Sequence, residues 1–302
     1  MWSVSVARTR EAFDETKLRA LVDPARGAPG LELERALAVT HERYGTDFSH
    51  ARARAGVARG HLIDVILEQP GGSGDGGEQE AAETFVDLLL GEARFEDWIG
   101  TVAVAPAPRG GPLRVVQSRP ADGHFFALSE LADAVSAAVR GIHAGLPPEP
   151  LWSVGGEQRW YLFELDAGER DDQSVASDIV LVSTFMPELL KSFLSGAPFA
   201  STRFSRAAEL FAYLKYENRE PDARRALARR RVLEDALDAA LVSERSGRVI
   251  GSGMGITHSY VNFALDRVAH AIDLVREVLA KVGLERAPSV IEFCDTPLCQ
   301  GV

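Results

Sequence analysis

The 302-residue sequence contains little cysteine: Cys294 and Cys299 are the two present. Two cysteines cannot cross-link a chain of this length, which excludes a disulfide-stabilised scaffold. No run of residues approaches the roughly 18 consecutive apolar positions that span a bilayer. Residues 1–6 also lack the basic region and apolar block of a secretory signal. These absences predict a cytoplasmic protein.

Positive charge is scarce relative to negative charge. The 33 Lys and Arg residues are outnumbered by 44 Asp and Glu residues, so the formal net charge is −11. Nucleic acids and anionic lipid surfaces are polyanions, and this balance disfavours attraction to either. We therefore expect no nucleic-acid partner and no membrane partner. With 46% hydrophobic and 25% charged residues, the composition is that of a globular protein with a sizeable core.

The motifs of several enzyme classes are absent. The sequence has no G-x-S-x-G elbow, no kinase signature set and no Gly-Lys-Ser/Thr of a phosphate-binding loop. His41, His50 and His61 do not follow a known metal-ligand spacing, and their role stays open. Cys294 and Cys299 form a C-x4-C without the second ligand pair of a zinc site. We predict no metal and no cofactor, and whether the protein is an enzyme stays open.

A proline-rich stretch divides the chain into two predicted domains. Residues 145–150 read Gly-Leu-Pro-Pro-Glu-Pro, and these prolines block both helix and interior strand. We place an N-terminal α+β domain at 1–145 and a C-terminal α+β domain at 151–302. Whether the N-terminal half folds independently is not determined at this stage.

Helices and strands alternate in the N-terminal half. Alternating apolar residues predict strands, and apolar residues at helical spacing predict helices. The predicted strands are 2–7, 61–67, 99–105 and 113–116, and the predicted helices are 11–22, 31–44, 78–90 and 128–142. Five glycines among residues 71–77 predict a mobile loop between a strand and a helix.

In the C-terminal half the pattern predicts a sheet faced by helices. The predicted strands are 160–165, 179–183, 256–265 and 290–293, and the predicted helices are 187–195, 204–217, 222–242 and the segment between an Asp266 cap and Gly283. The last strand–helix–strand run has the size of a βαβ unit, which two earlier strands would complete to a four-stranded sheet. We predict a ferredoxin-like α+β architecture, with an antiparallel or mixed sheet, by analogy of element order.

The most prominent candidate for ligand binding is the glycine-rich segment 251–255, where Gly251, Gly253 and Gly255 alternate with other residues. Alternating glycines allow a backbone to approach a phosphate and to present its N–H groups to an anion. The dinucleotide fingerprint requires a third glycine that opens a helix, whereas here a strand is predicted to follow. We interpret the segment as a bulge or tight turn before that strand, with ligand contact as the alternative.

The strand that follows carries a polar face. His258, Tyr260 and Asn262 share this face, while the alternate residues Val261, Phe263 and Leu265 are apolar. Such a face beside a glycine loop can line a pocket, and it is also typical of the solvent side of an antiparallel strand. We favour the solvent side. In the pocket hypothesis the three glycines contact an anion and His258 or Tyr260 acts on it.

Two further features have a structural and a functional interpretation. A nucleophilic Cys294 would need a base, for which His258 is the nearest candidate, and nothing local supports that pairing. We expect Cys294 to pack in the core beside Phe293. The arginines within 224–231 lie on a predicted long helix and are interpreted as a solvated face, with docking of an acidic partner as the alternative.

Two functions are consistent with these features. The acidic balance, the α+β layout and the missing catalytic motifs favour a non-catalytic accessory, regulatory or immunity-like protein that binds another protein. The alternative is an enzyme or small-ligand-binding protein that uses the glycine-rich segment 251–255 and the adjacent strand.

Overall fold

The computed structural model describes residues 29–72, 76–106, 124–156, 158–165, 178–195, 198–217, 222–284 and 289–295. These residues fall into two compact units that divide between Ala144 and Gly145. The predicted strands 2–7 and 113–116 and the predicted helix 11–22 lie outside the described residues. Among the described helices, none combines the length and the apolar character that a bilayer crossing requires.

The N-terminal unit is a four-stranded mixed sheet with helices. Its helices are α1 (Pro29–Tyr44), α2 (Gly76–Leu90), α3 (Glu92–Trp98) and α4 (Leu131–Ala144), and its strands are β1 (Arg52–Val57), β2 (Ile63–Gln69), β3 (Ile99–Pro106) and β4 (Phe126–Ala127). The strand order is β3-β2-β1-β4. β2 and β3 are parallel because α2 and α3 connect them as a crossover, and the other pairs are antiparallel.

Each helix and strand predicted within the described residues of this unit is present, with shifted ends. α2 begins at Gly76, so the last two glycines of the predicted mobile loop are helical, while 73–75 lie outside the described residues. α4 begins at Leu131, because a 3-10 turn over Leu128–Glu130 precedes it. The unit buries its own core, in which Phe48 and Phe85 are fully enclosed.

The C-terminal unit is built on a six-stranded antiparallel sheet. Its strands are β5 (Tyr161–Glu164), β6 (Ile179–Thr184), β7 (Leu210–Glu217), β8 (Gly247–Gly255), β9 (His258–Leu265) and β10 (Ser289–Phe293), and its helices are α5 (Pro187–Leu194), α6 (Ala223–Ser243) and α7 (Val268–Lys281). The strand order is β10-β7-β9-β8-β6-β5. The protein is therefore of the α+β class, and the sheet predicted with four strands has six.

The two faces of this sheet are covered differently. On the helix face, Leu214 of β7 and Val261 of β9 pack against α6 and α7. On the opposite face, which we call the α5 face, Tyr213 of β7 and Tyr260 of β9 pack in a cluster with Leu190 of α5. The 3-10 turns Leu151–Ser153 and Ser201–Arg203 also contribute to this side. Side chains that alternate along each strand thus enter two separate layers of core.

The prediction of a helix at 204–217 is wrong, because this segment contains strand β7. Phe211 and Leu214 are core residues as expected, but they lie on opposite faces of the sheet. A strand covered on both faces is apolar at consecutive positions, and this pattern resembles a buried helix.

The ends of α6 and α7 show which capping signals in the sequence match the structure. α6 begins after Asp222, whose carboxylate accepts hydrogen bonds from the backbone N–H groups of Arg224 and Arg225 at 2.9 and 3.1 Å. α7 is followed by Gly283 at a φ of +72°, as its predicted C-terminal cap requires. The prediction that Asp266 caps α7 is wrong: the cap position is Arg267, and the Asp266 carboxylate accepts from the indole N–H of Trp152.

Candidate functional site

A cavity of about 40 Å³ lies between the α5 face of the sheet and α5 itself. Its walls come from β6, β7, β8, β9 and α5, together with Cys294 after β10. Val182, Leu189, Leu190 and Phe193 are among the apolar side chains that make up most of the lining. A water molecule needs roughly 10–15 Å³ of such space, so the cavity holds a few non-hydrogen atoms.

The cavity lies over β8, where the predicted glycine loop is in fact a strand. Gly253 pairs with Tyr260 of β9 and with Val182 of β6, so the three positions face α5 together. A Cβ atom added at Gly253 would come no closer than 3.5 Å to another atom, the Cβ of Tyr260. Gly253 thus contributes no side chain to this wall of the cavity, and a Cβ atom there would be tolerated.

A second row of residues crosses the same face of the sheet. Gly251 pairs with Asn262 of β9 and with Thr184 of β6, and Asn262 pairs in turn with Tyr213 of β7. A register shift between Val249 and Gly251 in the pairing of β8 with β9 accompanies this arrangement. Tyr213, Asn262 and Thr184 all line the cavity.

The structure thus brings together three of the predicted site residues, Gly253, Tyr260 and Asn262, around one cavity. The prediction that their face is the solvent side is wrong, since Tyr260 is 1% exposed. The reason is that α5 covers a face that an isolated hairpin would leave in water. Asn262 is half-buried, and no described residue forms a hydrogen bond with its side-chain amide.

Of the other three predicted site residues, Gly251 lies in the second row without lining the cavity, and Gly255 and His258 meet at Asp178 just before β6. The Asp178 carboxylate accepts from the N–H and the hydroxyl of Thr257 at 2.8 and 2.7 Å. It also accepts from the N–H of His258 at 3.1 Å and from the hydroxyl of Tyr260 at 2.7 Å. A Cβ atom at Gly255 would overlap this carboxylate, so glycine is required there. Asp178 therefore fastens the start of β6 to the β8–β9 turn.

The protonation of this cluster follows from its hydrogen bonds. Burial alone would raise the pKa of Asp178, but the bonds from Thr257, Tyr260 and His258 outweigh burial and lower it. Burial raises the pKa of Tyr260, and the bond to Asp178 raises it further. At neutral pH Asp178 is therefore a carboxylate, and Tyr260 is a neutral phenol that donates its hydroxyl proton to Asp178.

Tyr213 forms a matching pair on the other side of the cavity. Its hydroxyl donates to the carboxylate of Glu292 on β10. Burial, followed by this hydrogen bond, raises the pKa of Tyr213. The ring centroids of Tyr213 and Tyr260 are 6.1 Å apart, with 59° between the ring planes. Each ring of this wall is thus held by a carboxylate at its hydroxyl end.

Cys294 packs against both apolar clusters of the α5 face, in agreement with the expectation of a core position. Burial raises the pKa of the Cys294 thiol, and the nearby Asp295 and Glu292 carboxylates raise it further. The ring of His258 lies within 2.7 Å of the Thr257 hydroxyl and 3.5 Å of Asp178. A neutral thiol and a histidine engaged elsewhere do not form a nucleophile–base pair. Cys299 lies outside the described residues.

Asp178, Tyr213 and Glu292 are not among the site residues predicted from the sequence. Asp178 ends a segment with many acidic residues, and Tyr213 falls within the wrongly predicted helix. Recognition of β7 as a strand would have placed Tyr213 beside Asn262, since the strands pair directly. The acidic residues carry no local signal, because 44 of them are present.

Two other sequence features do not form a site. Within the described ranges, no three His, Cys, Asp or Glu side chains converge as metal ligands. His41 and His50 are exposed. Of the arginines within 224–231, four are exposed as the predicted solvated face requires, while Arg230 is buried with its Nε 2.7 Å from an oxygen of Glu234.

Comparisons of the chain with known protein families, with curated proteins and with solved structures found no match. The function is therefore inferred from the geometry and chemistry of the cavity.

Proposed function

We propose that the C-terminal unit is a binding module that takes the end of a small ligand into the cavity beneath α5. The observation that carries this proposal is the cavity over Gly253, bordered by Tyr260 and Asn262. Small-molecule sites are typically concave and apolar, with a few polar groups that orient the ligand. This arrangement has both properties.

The chemistry of the lining favours binding over catalysis. The hydroxyl protons of Tyr260 and Tyr213 are donated to Asp178 and Glu292. The Cys294 thiol has a raised pKa, whereas a nucleophile needs a lowered pKa or an adjacent base. The polar groups around the cavity therefore hold its walls in place rather than activate a ligand.

We further propose that β7 to β10 form a ferredoxin-like unit to which β5 and β6 are added. The supporting observations are the element order β-α-β-β-α-β and the spatial strand order β10-β7-β9-β8. Both connecting helices, α6 and α7, pack on the helix face. The α5 face is then the side available to a ligand, although the fold alone does not specify one.

Xenon is the probe for the cavity, because it is apolar and monatomic. We expect xenon to shift the methyl NMR signals of Val182, Leu189 and Leu190 in the wild type. Gly253→Val places methyl groups in the cavity and should abolish these shifts. Gly155→Ala is the matched control, since a Cβ atom there meets nothing within 4 Å. Unchanged xenon shifts in a folded Gly253→Val protein would contradict the proposal.

A second candidate function is the binding of a protein partner by a non-catalytic accessory, regulatory or immunity-like protein. β5 ends the strand order, and its outer edge pairs with no described strand. Leu162 on β5 is 70% exposed, and the neighbouring Trp160 is 48% exposed. An edge strand with exposed apolar side chains can accept a strand from a partner.

This second candidate is tested by co-purification from the native cell with wild-type protein and with Leu162→Lys. A stoichiometric partner recovered by the wild type and lost with Leu162→Lys is the expected result. Recovery of the wild type alone, or of the same partner by both proteins, would count against binding at β5. In either candidate function we propose a cytoplasmic protein without nucleic-acid or membrane partners, on the basis of its cysteine content and charge.

A further inference from the structure

We propose that the ligand is a short, unbranched, uncharged molecule with one hydrogen-bonding group, of the primary-alcohol class, whose polar group bonds to Asn262. This inference rests on the proposed function and specifies its ligand. The alkyl end of the ligand lies beneath α5, and the hydroxyl meets the amide of Asn262.

Most of the polar side chains that line the cavity already have hydrogen-bond partners. Thr184 donates its hydroxyl proton to the carbonyl of Ile250 at 2.8 Å and accepts from the N–H of Met186 at 3.0 Å. Tyr213 and Tyr260 are engaged by carboxylates. The Asn262 amide has two donors and an acceptor, and none of them bonds to a described residue. A hydroxyl, which donates and accepts, matches this amide.

The charged side chains around the cavity also restrict the ligand. No Lys or Arg side chain is among the residues that line the cavity, and the Asp178 and Glu292 carboxylates accept hydrogen bonds from the hydroxyls of its two lining tyrosines. An anionic ligand would lose its hydration against apolar walls close to two negative charges. A cation is disfavoured as well, because neither carboxylate is among the lining residues and a charged group would lose its hydration against apolar walls. The site is suited to a neutral molecule.

The volume of the cavity limits the size of the ligand. The cavity measures about 40 Å³, whereas an apolar cavity of roughly 150 Å³ is known to hold benzene. Leu189, Leu190 and Phe193 of α5 line one side of this space, and Tyr260 and Gly253 line the sheet side, and a volume this small excludes a benzene-sized ring. A three-carbon alkyl chain fits this space.

The experiment is a methyl NMR titration of the full chain with propan-1-ol, propanoate, propylammonium and benzene at matched ionic strength. We expect saturable shifts of the Val182 and Leu190 methyl signals with propan-1-ol, and at least tenfold weaker binding of the other three. Equal or tighter binding of propanoate, propylammonium or benzene would overturn the proposed ligand class.

Asn262→Leu tests the role of the amide, since leucine has a similar shape and no hydrogen-bonding atoms. We expect it to weaken propan-1-ol binding at least fivefold, whereas Gly155→Ala should bind propan-1-ol and xenon as the wild type does. Wild-type affinity for propan-1-ol in Asn262→Leu would overturn the inference. If Asn262→Leu does not fold, the comparison of the four ligands on the wild-type protein decides the ligand class by itself. Absence of xenon binding in the wild type contradicts the proposed function, whereas xenon binding without alcohol preference contradicts only this inference.

Discussion

The two faces of the C-terminal sheet differ in how they are filled. The helix face is covered by α6 and α7, which are 21 and 14 residues long, and their side chains meet those of the strands in one continuous cluster. The α5 face is covered by an eight-residue helix, two 3-10 turns and irregular segments, and it contains the cavity. Long helices present regular rows of side chains that fill a sheet surface. The short helix α5 covers the glycines of β8, and the cavity lies between them.

Buried polar groups also hold the irregular segments of the α5 side. The α5 side includes the buried Arg203, which donates to the hydroxyl of Ser192 and the carbonyl of Pro198 at 3.0 and 2.7 Å. Glu209 is also buried there, where its carboxylate accepts from the N–H of Leu151 and the hydroxyl of Ser205, each at 2.8 Å. Burial raises the pKa of Glu209 despite these bonds. Irregular segments depend on such groups to satisfy their backbone and side-chain atoms.

The largest expected effect compares one leucine from each face. Leu237 of α6 is fully buried on the helix face, and Leu237→Ala should lower the free energy of unfolding by about 3–5 kcal/mol through a new cavity. Leu190→Ala should cost about half as much, since Leu190 already borders empty space. Chemical denaturation of both variants measures the difference. Equal losses would remove the distinction between the faces.

The next effect compares two glycines of β8. Gly255→Ala forces a Cβ atom against the Asp178 carboxylate and should destabilise the unit by about 1–3 kcal/mol. In Gly253→Ala the added methyl group makes ordinary van der Waals contacts at 3.5 Å or more and should change stability by less than about 1 kcal/mol. Thermal unfolding of the two variants provides the measurement. A Gly253→Ala protein as unstable as Gly255→Ala would show that the cavity is not available.

A pH effect separates Asp178 from other acidic residues. Its folded pKa is lowered, so the native state favours the carboxylate. The resulting stability is present above the unfolded pKa of about 3.9 and is lost as pH falls through the lower folded value. Asp178→Asn should therefore differ most from the wild type near neutral pH and least in acid. Unfolding curves between pH 2 and 7 test this, and a difference that is constant with pH would contradict it.

The smallest effect concerns the tyrosines of the cavity wall at alkaline pH. The pKa values of Tyr213 and Tyr260 are raised, so folding favours their neutral form. Stability should fall as pH rises above the unfolded pKa of about 10. Ultraviolet titration should show ionisation of these two tyrosines above the ordinary range, and Tyr213→Phe should remove one late-titrating group. Ionisation of every tyrosine near pH 10 in the folded protein would contradict the burial of this wall.

Features with local signals could be predicted from the sequence. Gly283 marks the end of α7 correctly, because capping involves atoms only a few residues apart, whereas the predicted Asp266 cap is not formed. The alternation of His258, Tyr260 and Asn262 against apolar neighbours also identified β9 as a strand. β7 was missed because a strand covered on both faces has no alternation to detect.

The candidate site depended on contacts across the sequence. Gly253 and Tyr260 were candidates because they lie close together in the chain, but their partner Asp178 is 82 residues from Tyr260. Nothing within a short window distinguishes Asp178 from other acidic residues, or Glu292 as the partner of Tyr213. Which carboxylate meets which phenol is decided by strand register.

By itself the amino-acid sequence determined the α+β composition, the glycine that ends α7 and the polar face of β9, since these depend on neighbouring residues. Tertiary structure alone decided that the alternating glycines of β8 form a central strand, that the polar face of β9 points into the protein, and that α5 covers it. The physical reason is that burial is a property of what packs above a surface, and distant segments supply that covering.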